Sequence, residues 1–148
     1  AGRRARSIHI QAQGQPARTD TTDYATVLAN GLEATLQRLT AAGSTRVHVL
    51  LQPPELGFDP RNCLAFGLRV REARACTVDT AQVQLRQQGY RQAIAQVLSR
   101  HPDVHVPDPM RVLCDAQSCN AITSGKILYR DDDHLSLIGA EYVFNRLF

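Results

Sequence analysis

The chain has 148 residues, of which 43% are hydrophobic and 21% charged, the balance of one ordinary globular domain spanning residues 1–148. Its net charge of +3 is small and its arginines are scattered without interleaved aromatic residues, so we expect no nucleic-acid partner. No apolar run approaches the roughly 18 residues that a membrane span needs, and no apolar segment of signal-peptide type follows the arginine-rich start.

The first predicted elements are a strand and a helix. Residues 7–12 form a short apolar-rich run of strand length. Between residues 24 and 39, apolar side chains recur at steps of three and four, which predicts a helix. Thr21 or Thr22 can cap the start of this helix, and Gly43 can end it.

A second strand is predicted over residues 46–51, which are rich in valine and leucine. It must stop at Pro53 and Pro54, because proline cannot donate a hydrogen bond to a sheet ladder. Residues 55–79 follow with an irregular pattern. We expect this long loop to lie over one edge of the functional site, because long ordered loops tend to be functional.

The rest of the pattern predicts a second helix, a third strand and a last helix. Residues 80–99 carry apolar side chains on one side and many glutamines on the other. Residues 104–106 form a short strand that ends at Pro107. Residues 136–148 form an amphipathic helix with Ser136 as its N-cap.

This alternation of strands and helices predicts an α/β fold, a three-layer sandwich with a parallel sheet covered on both faces. In such folds, ligands collect at the carboxyl ends of the strands. We therefore expect the loops after residues 11, 51 and 106 to converge with the turn at residues 131–134 in one cleft.

The chain has four cysteines, Cys63, Cys76, Cys114 and Cys119, which allow three disulfide connectivities. Both local pairs, Cys63 with Cys76 and Cys114 with Cys119, lie in irregular segments where a covalent link would stabilise the fold most. Two disulfides indicate an oxidising compartment. Thiols that stay reduced and a metal site remain as alternatives.

The segment most indicative of function is Asp131-Asp132-Asp133-His134, just before the last helix. A carboxylate three residues before a histidine can fold back and hold one imidazole nitrogen, which leaves the other to take a proton from a nucleophile. The alternative is an exposed acidic turn at a helix N-terminus, where negative charge is favoured in any case.

A metal site on the histidines of the predicted strands, His9, His48 and His105, is a further alternative. Each of these histidines sits between apolar neighbours, so packing within the sheet is the favoured interpretation. We expect neither a metal nor another cofactor.

The end of the chain resembles a known family. The segment Tyr129–Ala140 is similar to the closing block of the SGNH (GDSL-type) hydrolases, in which an Asp-x-x-His pair precedes a small-residue helix. The proline pair and glutamate at 53–55 and the two cysteine pairs further resemble the SGNH domain fused to the C-terminus of membrane-bound bacterial acyltransferases, which O-acetylate surface polysaccharides. The resemblance covers residues 45–148 well and the first forty weakly.

The resemblance implies that His134 is the general base and that Asp131 orients it, with Asp132 and Asp133 as solvated neighbours. It implies a flavodoxin-like sheet and acyl transfer or ester hydrolysis, with an acyl donor and a bacterial polysaccharide or sugar as partners. It also implies an N-terminal membrane acyltransferase domain as partner, and a periplasmic domain tethered to the inner membrane.

The family's Gly-Asp-Ser block, which carries the nucleophile, does not occur in this sequence. Its oxyanion donors also lack a clear match, although Gln11 and Gln13 lie near the expected asparagine. None of the six serines lies in the strained strand-to-helix elbow that exposes a nucleophile. The serines are Ser7, Ser44, Ser99, Ser118, Ser124 and Ser136.

The simplest account is that the chain is the C-terminal part of an SGNH domain, incomplete at its N-terminus. Its sheet would then expose an edge at which a second copy can pair, so a dimer is expected. The alternative is an inactive SGNH descendant that binds glycan or another partner. The missing serine favours this alternative, whereas the scarcity of aromatic residues, with no tryptophan, argues against it.

Overall fold

The computed structural model describes three stretches of the chain, and the predicted first strand at residues 7–12 lies outside them. The described residues are 21–44, 46–63 and 76–148. They fall into two compact units. The first unit contains residues 21–44, 46–47 and 88–105, and the second contains residues 48–63, 76–87 and 106–148.

The first unit is built from two helices, α1 (Thr21–Ala41) and the later part of α2 (Thr80–Leu98). Both helices agree closely with the prediction from apolar periodicity. The helices bury an apolar stripe in this unit, as amphipathic helices do. The buried side chains of the stripe are Leu36, Ala93, Ile94 and Val97.

The end of α1 confirms the predicted stop at Gly43. This glycine has φ +77°, a left-handed conformation that glycine adopts without a steric penalty. Its N–H donates to the Thr40 carbonyl at 3.0 Å, and the N–H of Ser44 donates to the Leu39 carbonyl at 3.0 Å. These two bonds satisfy carbonyls that the helix end would otherwise leave without a partner.

A cluster of polar side chains joins α1 to the segment after α2 within the first unit. Glu33 accepts hydrogen bonds from Arg100 Nη2 at 2.8 Å and from His101 Nε2 at 3.0 Å. Gln37 Nε2 donates to the same carboxylate at 3.0 Å. The bonds from Arg100 and His101 lower the pKa of Glu33, so its charged form is favoured.

The second unit contains two small antiparallel sheets. Strand β1 (Thr77–Asp79) pairs with β2 (Ser118–Asn120), with Val78 opposite Cys119. Strand β3 (Ile122–Thr123) pairs with β4 (Lys126–Ile127). The helical elements of the unit are a 3-10 helix (Pro60–Cys63), α3 (Met110–Leu113), α4 (Leu137–Leu147) and the first part of α2.

One apolar core lies between these elements. Its buried residues are Leu56, Val78, Val83, Leu113, Cys119, Ala121, Leu128, Tyr129 and Val143. Gln87, which helical periodicity places among the polar glutamines of α2, is also buried. Its side chain donates to the Pro53 carbonyl at 2.8 Å, so the buried amide is satisfied and joins α2 to the loop that follows residue 51.

The described residues combine helices with small antiparallel sheets and do not form the predicted parallel sheet. His48 and His105 occupy single bridge positions instead of strands. In the first unit the His105 N–H donates to the Val47 carbonyl at 3.0 Å, and in the second the Leu51 N–H donates to the Pro107 carbonyl at 3.0 Å. Pro107 has no N–H with which to continue a ladder, which is a physical reason why these segments stay short.

The cysteine prediction is confirmed for one pair. Cys114 and Cys119 form a disulfide. Cys63 and Cys76 carry thiols in this structure, so the second predicted disulfide is not formed here. Burial and a hydrogen bond with Cys76 raise the pKa of Cys63 to about 12, which keeps this thiol protonated and weakly nucleophilic.

No helix in the described stretches is long and apolar enough to cross a lipid bilayer.

Candidate active site

The segment from Tyr129 to Leu135 folds into a closed turn. These two residues form an antiparallel bridge, and the Arg130 N–H donates to the His134 carbonyl at 2.8 Å. Asp131 Oδ1 accepts from the backbone N–H of His134 at 2.8 Å and from that of Asp133 at 3.3 Å. An aspartate that bonds the backbone two and three residues ahead stabilises such a turn locally.

The same aspartate reaches the imidazole ring. Asp131 Oδ1 lies 2.9 Å from His134 Nδ1, the geometry that the Asp-x-x-His spacing predicts. The His134 side chain is 60% exposed, and its Nε2 has no hydrogen-bond partner among the described residues. The ring is therefore held at one nitrogen, while the other is open to a proton donor from outside this part of the chain.

Asp133 also contacts the ring, which the sequence analysis did not anticipate. Its Oδ1 lies 2.7 Å from His134 Nδ1, so two carboxylates face one ring nitrogen. The Asp133 side chain is 54% exposed, as expected for a solvated neighbour, and it contacts the ring in addition. No spacing rule would have found this contact, since it depends on how the Asp131 turn directs two adjacent side chains to the same point.

The electrostatics of the turn favour a charged imidazole. The hydrogen bond to Asp131 and the negative charge of Asp133 raise the pKa of His134. For Asp131, burial acts to raise the pKa, but hydrogen bonds from the ring and backbone of His134 and from Asp133 outweigh it and lower the pKa well below the usual range. Burial and the neighbouring Asp131 raise the pKa of Asp133.

The loop after the predicted second strand supports the turn from one side. The Leu56 N–H donates to the Asp132 carbonyl at 2.8 Å, and the Leu56 side chain is buried in the core. Arg86 of α2 donates to the Glu55 carbonyl at 2.6 Å. The structure thus brings the loop after residue 51 to the turn at 131–134, two of the segments expected to converge.

The start of α4 supports the turn from the other side. Ser136 Oγ accepts from the Gly139 N–H at 3.1 Å and donates to the Ile127 carbonyl at 3.0 Å. The Ser136 N–H donates to the Leu128 carbonyl at 2.9 Å. Ser136 is therefore the predicted N-cap, and its hydroxyl is committed to the backbone.

The structure describes five of the six serines, since Ser7 lies outside the described residues. None of the five hydroxyls forms a hydrogen bond with His134. The structure describes two of the three histidines of the predicted strands, His48 and His105. His48 contacts the ring of Phe148 with centroids 5.3 Å apart, and His9 lies outside the described residues.

Within the described stretches, Asp131, Asp133 and His134 are the one group whose possible ligand atoms lie within 4.8 Å of one another. That spacing would also suit a cation. Hydrogen bonding within the group accounts for it without one.

Comparison with known protein families gave a match over nearly the whole chain. The model for the SGNH domain (fused to AT3 domains) matches residues 2–147, and so includes the first forty residues, where the sequence alone shows only a weak resemblance. Searches of curated proteins and of solved structures gave no match. The family match covers nearly the whole chain, and the chain therefore belongs to the SGNH domains of proteins that carry a fused AT3 acyltransferase domain.

Proposed function

We propose that this domain supplies the base half of a serine acyl-transfer site, with His134 as general base and Asp131 as the residue that orients it. The observation that carries the proposal is the 2.9 Å contact between Asp131 Oδ1 and His134 Nδ1, with Nε2 left exposed. A carboxylate at Nδ1 fixes the tautomer whose Nε2 accepts a proton.

In the first half of the reaction, His134 Nε2 takes the proton from a serine hydroxyl, and the serine oxygen attacks the carbonyl carbon of an acyl donor. His134 then returns the proton to the leaving group, and an acyl-serine remains. In the second half, the ring takes a proton from an acceptor hydroxyl, whose oxygen attacks the acyl-serine; the ring then returns the proton to the serine oxygen as the serine is released. Asp131 and Asp133 stabilise the imidazolium that forms in both halves.

The nucleophilic serine is proposed to come from a segment other than the described residues. The acyl group is proposed to be acetyl, and the acceptor a hydroxyl of a bacterial surface polysaccharide. The fused AT3 domain, to which the family match points, would deliver the acyl group. The domain would then work in the periplasm, tethered to the inner membrane.

The test uses the protein in which this domain is joined to its AT3 domain. His134→Ala is expected to lower polysaccharide O-acetylation by about 100-fold or more, since a positioned general base contributes about 10² to 10⁴ in rate. His105→Ala, at an exposed histidine of the first unit, is the control and is expected to leave acetylation unchanged. Acetyl groups are counted by proton NMR of the isolated polysaccharide. Wild-type acetylation in His134→Ala would refute the mechanism.

The second candidate is an SGNH-derived domain that binds glycan without catalysing a reaction. The observation in its favour is that no described serine is bonded to His134. A fluorophosphonate probe distinguishes the two, since it reacts with a serine activated by a histidine. Labelling that depends on His134 supports catalysis, whereas an intact protein with no labelled serine supports the binding domain.

A further inference from the structure

Two adjoining cavities lie between the β3–β4 hairpin and α4, within the second unit. Their volumes are about 310 Å³ and 290 Å³, at the lower end of the range for small-molecule sites. Both are lined by Thr123, Ser124 and Tyr142, and the two cavities together are here called the hairpin groove. Neither cavity is lined by Asp131 or His134.

The hairpin fixes one wall of this groove. Ser124 and Gly125 connect β3 to β4 with φ values of +48° and +74°. Two successive residues with positive φ form the tight turn whose twist matches that of paired strands. The turn therefore holds Thr123 and Ser124 in a defined position at the rim of the groove.

The other wall is a face of α4 around a half-buried aromatic ring. Arg146 lies over the ring of Tyr142, with its guanidinium carbon 3.7 Å from the ring centroid. The same guanidinium donates to the Tyr142 carbonyl at 3.0 Å. The stacked and hydrogen-bonded arginine restrains the aromatic ring.

The groove is lined by polar side chains with unused hydrogen-bonding capacity. None of six such side chains forms a side-chain hydrogen bond or an ion pair with the described residues. They provide hydroxyl, amide, ammonium and carboxylate groups, a mixture of donors and acceptors. The six residues are Asn120, Thr123, Ser124, Lys126, Glu141 and Asn145.

We propose that the hairpin groove binds one or two neutral sugar residues of a glycan chain. Each sugar hydroxyl both donates and accepts a hydrogen bond, which matches the mixed lining. A sugar also has an apolar face, which would pack on the part of the Tyr142 ring that Arg146 and the core leave exposed at the groove. Charges of both signs occur, with Glu141 against Lys126 and Arg146, so the groove does not select strongly for an anion.

One residue of the groove is a near neighbour in sequence of the candidate active site. Ile138, on the first turn of α4, lines the second cavity and lies four residues after His134. Binding of remote sugar residues can hold an acceptor in place and so contribute to the rate of the chemical step. The binding itself does not require acyl transfer, so this proposal stands or falls independently of the proposed catalytic role.

The test is a titration of the ¹⁵N-labelled chain, followed by amide chemical shifts. The probes are maltohexaose and N-acetylchitotetraose, which are neutral, and tetragalacturonate, which is anionic. At least one neutral probe is expected to cause saturable shifts confined to residues 120–126 and 138–146. Asn145→Ala and Glu141→Ala are each expected to raise the Kd for that neutral probe about fivefold or more, which is the effect of losing one hydrogen bond.

Asn30→Ala is the matched control, since Asn30 is an exposed asparagine on α1 in the first unit. It is expected to leave the Kd unchanged. The proposal is overturned if neither neutral probe shifts these residues, if tetragalacturonate binds more tightly than both, or if Asn145→Ala and Glu141→Ala bind as the wild type does. Circular dichroism and thermal unfolding of each variant exclude misfolding as the cause of lost binding.

Discussion

Gly139 of α4 lies directly against the backbone carbonyl of Leu128. A Cβ atom at position 139 would overlap the Leu128 carbonyl oxygen, so only glycine fits. The Leu128 carbonyl also accepts the Ser136 N–H at 2.9 Å, which joins the start of α4 to the segment after β4. Because the Asp131–His134 turn lies between these two segments, this close approach fixes both of its ends.

Gly139→Ala is expected to destabilise the chain by about 3 kcal/mol, since the new methyl group meets a backbone atom and not a flexible side chain. Alanine also raises the helix propensity at this position, but that gain of about 1 kcal/mol is too small to compensate. Urea unfolding followed by circular dichroism measures the change.

Gly31→Ala and Gly89→Ala are the matched controls, because both glycines lie within helices and a Cβ added at either would have nothing within 4 Å. Each is expected to stabilise the chain by about 0.4 to 1 kcal/mol, since alanine restricts the unfolded chain and fits the helix. A Gly139→Ala variant as stable as these controls would show that α4 can move away from Leu128 at little cost.

The pKa of His134 is expected to fall in Asp131→Asn, because the hydrogen bond to Asp131 is the largest cause that raises it. The fall is expected to be incomplete, since Asp133 Oδ1 remains 2.7 Å from the same nitrogen. A ¹³C-resolved NMR titration of the His134 Cε1 proton measures it. Asp132→Asn removes an equal charge and is expected to shift the pKa less. Equal shifts in both variants would mean that the net charge of the turn, and not the hydrogen bond to Asp131, controls the pKa of His134.

The same pair predicts how stability depends on pH. The folded-state pKa of His134 is above its ordinary value of 6.5. The contribution of His134 to the free energy of unfolding is therefore complete below pH 6.5, and it is lost as the pH rises through the raised pKa. The folded-state pKa of Asp131 is below its ordinary value of 3.8, so its contribution is complete above that pH and is lost on acidification. Wild-type stability relative to His134→Ala is expected to be greatest between about pH 4 and 6.5. A stability difference between the wild type and His134→Ala that stays constant from pH 4 to 9 would contradict this prediction.

The helices could be predicted from the sequence because their signals are local. Apolar periodicity and the stop at Gly43 give α1 its extent, and Ser136 caps α4 as expected. Hairpin β3–β4 carries a weaker signal, the Ser124-Gly125 pair at its turn. Helix ends and turns depend on a few neighbouring residues, so one sequence is enough to find many of them.

The sheet and part of the site could not be predicted in the same way. Strand pairing joins segments far apart in sequence, and the antiparallel pairing of β1 with β2 has no signature in either segment alone. At the site, the Asp131–His134 contact follows from a three-residue spacing, but the Asp133 contact follows from side-chain direction within the folded turn. Burial of Gln87 likewise depends on the Pro53 carbonyl of another segment.

Reduction of the Cys114–Cys119 disulfide is expected to destabilise the chain by about 2 kcal/mol, the loop-closure entropy of so short a loop. Cys119 is fully buried opposite Val78 on β1, so the link stabilises the edge of the core. Urea unfolding with and without reductant measures the difference. Cys114→Ser is expected to reproduce the loss and to abolish the effect of reductant. If reductant destabilises Cys114→Ser further, another disulfide exists in solution, and Cys63 with Cys76 is the pair to examine.

Gly57 lies next to Leu56, in the loop that is bonded to the Asp131–His134 turn. It has φ +72°, and a Cβ there would lie 2.9 Å from the Arg86 Nη2 atom. Gly57→Ala is expected to cost about 1 to 2 kcal/mol from the left-handed backbone, and more because Arg86 must move from the Glu55 carbonyl. Gly43→Ala is the control, since Gly43 has φ +77° but a Cβ added there would have nothing within 4 Å.

The difference between these two variants isolates the contact with Arg86. In an Arg86→Ala background the extra cost of Gly57→Ala over Gly43→Ala is expected to disappear, as measured by urea unfolding. Because the Leu56 N–H holds the Asp132 carbonyl, Gly57→Ala is also expected to shift the His134 Cε1 resonance, whereas Gly43→Ala is not. An unchanged His134 resonance in a destabilised Gly57→Ala protein would mean that the turn keeps its geometry without the loop, and that contacts within the turn position the ring.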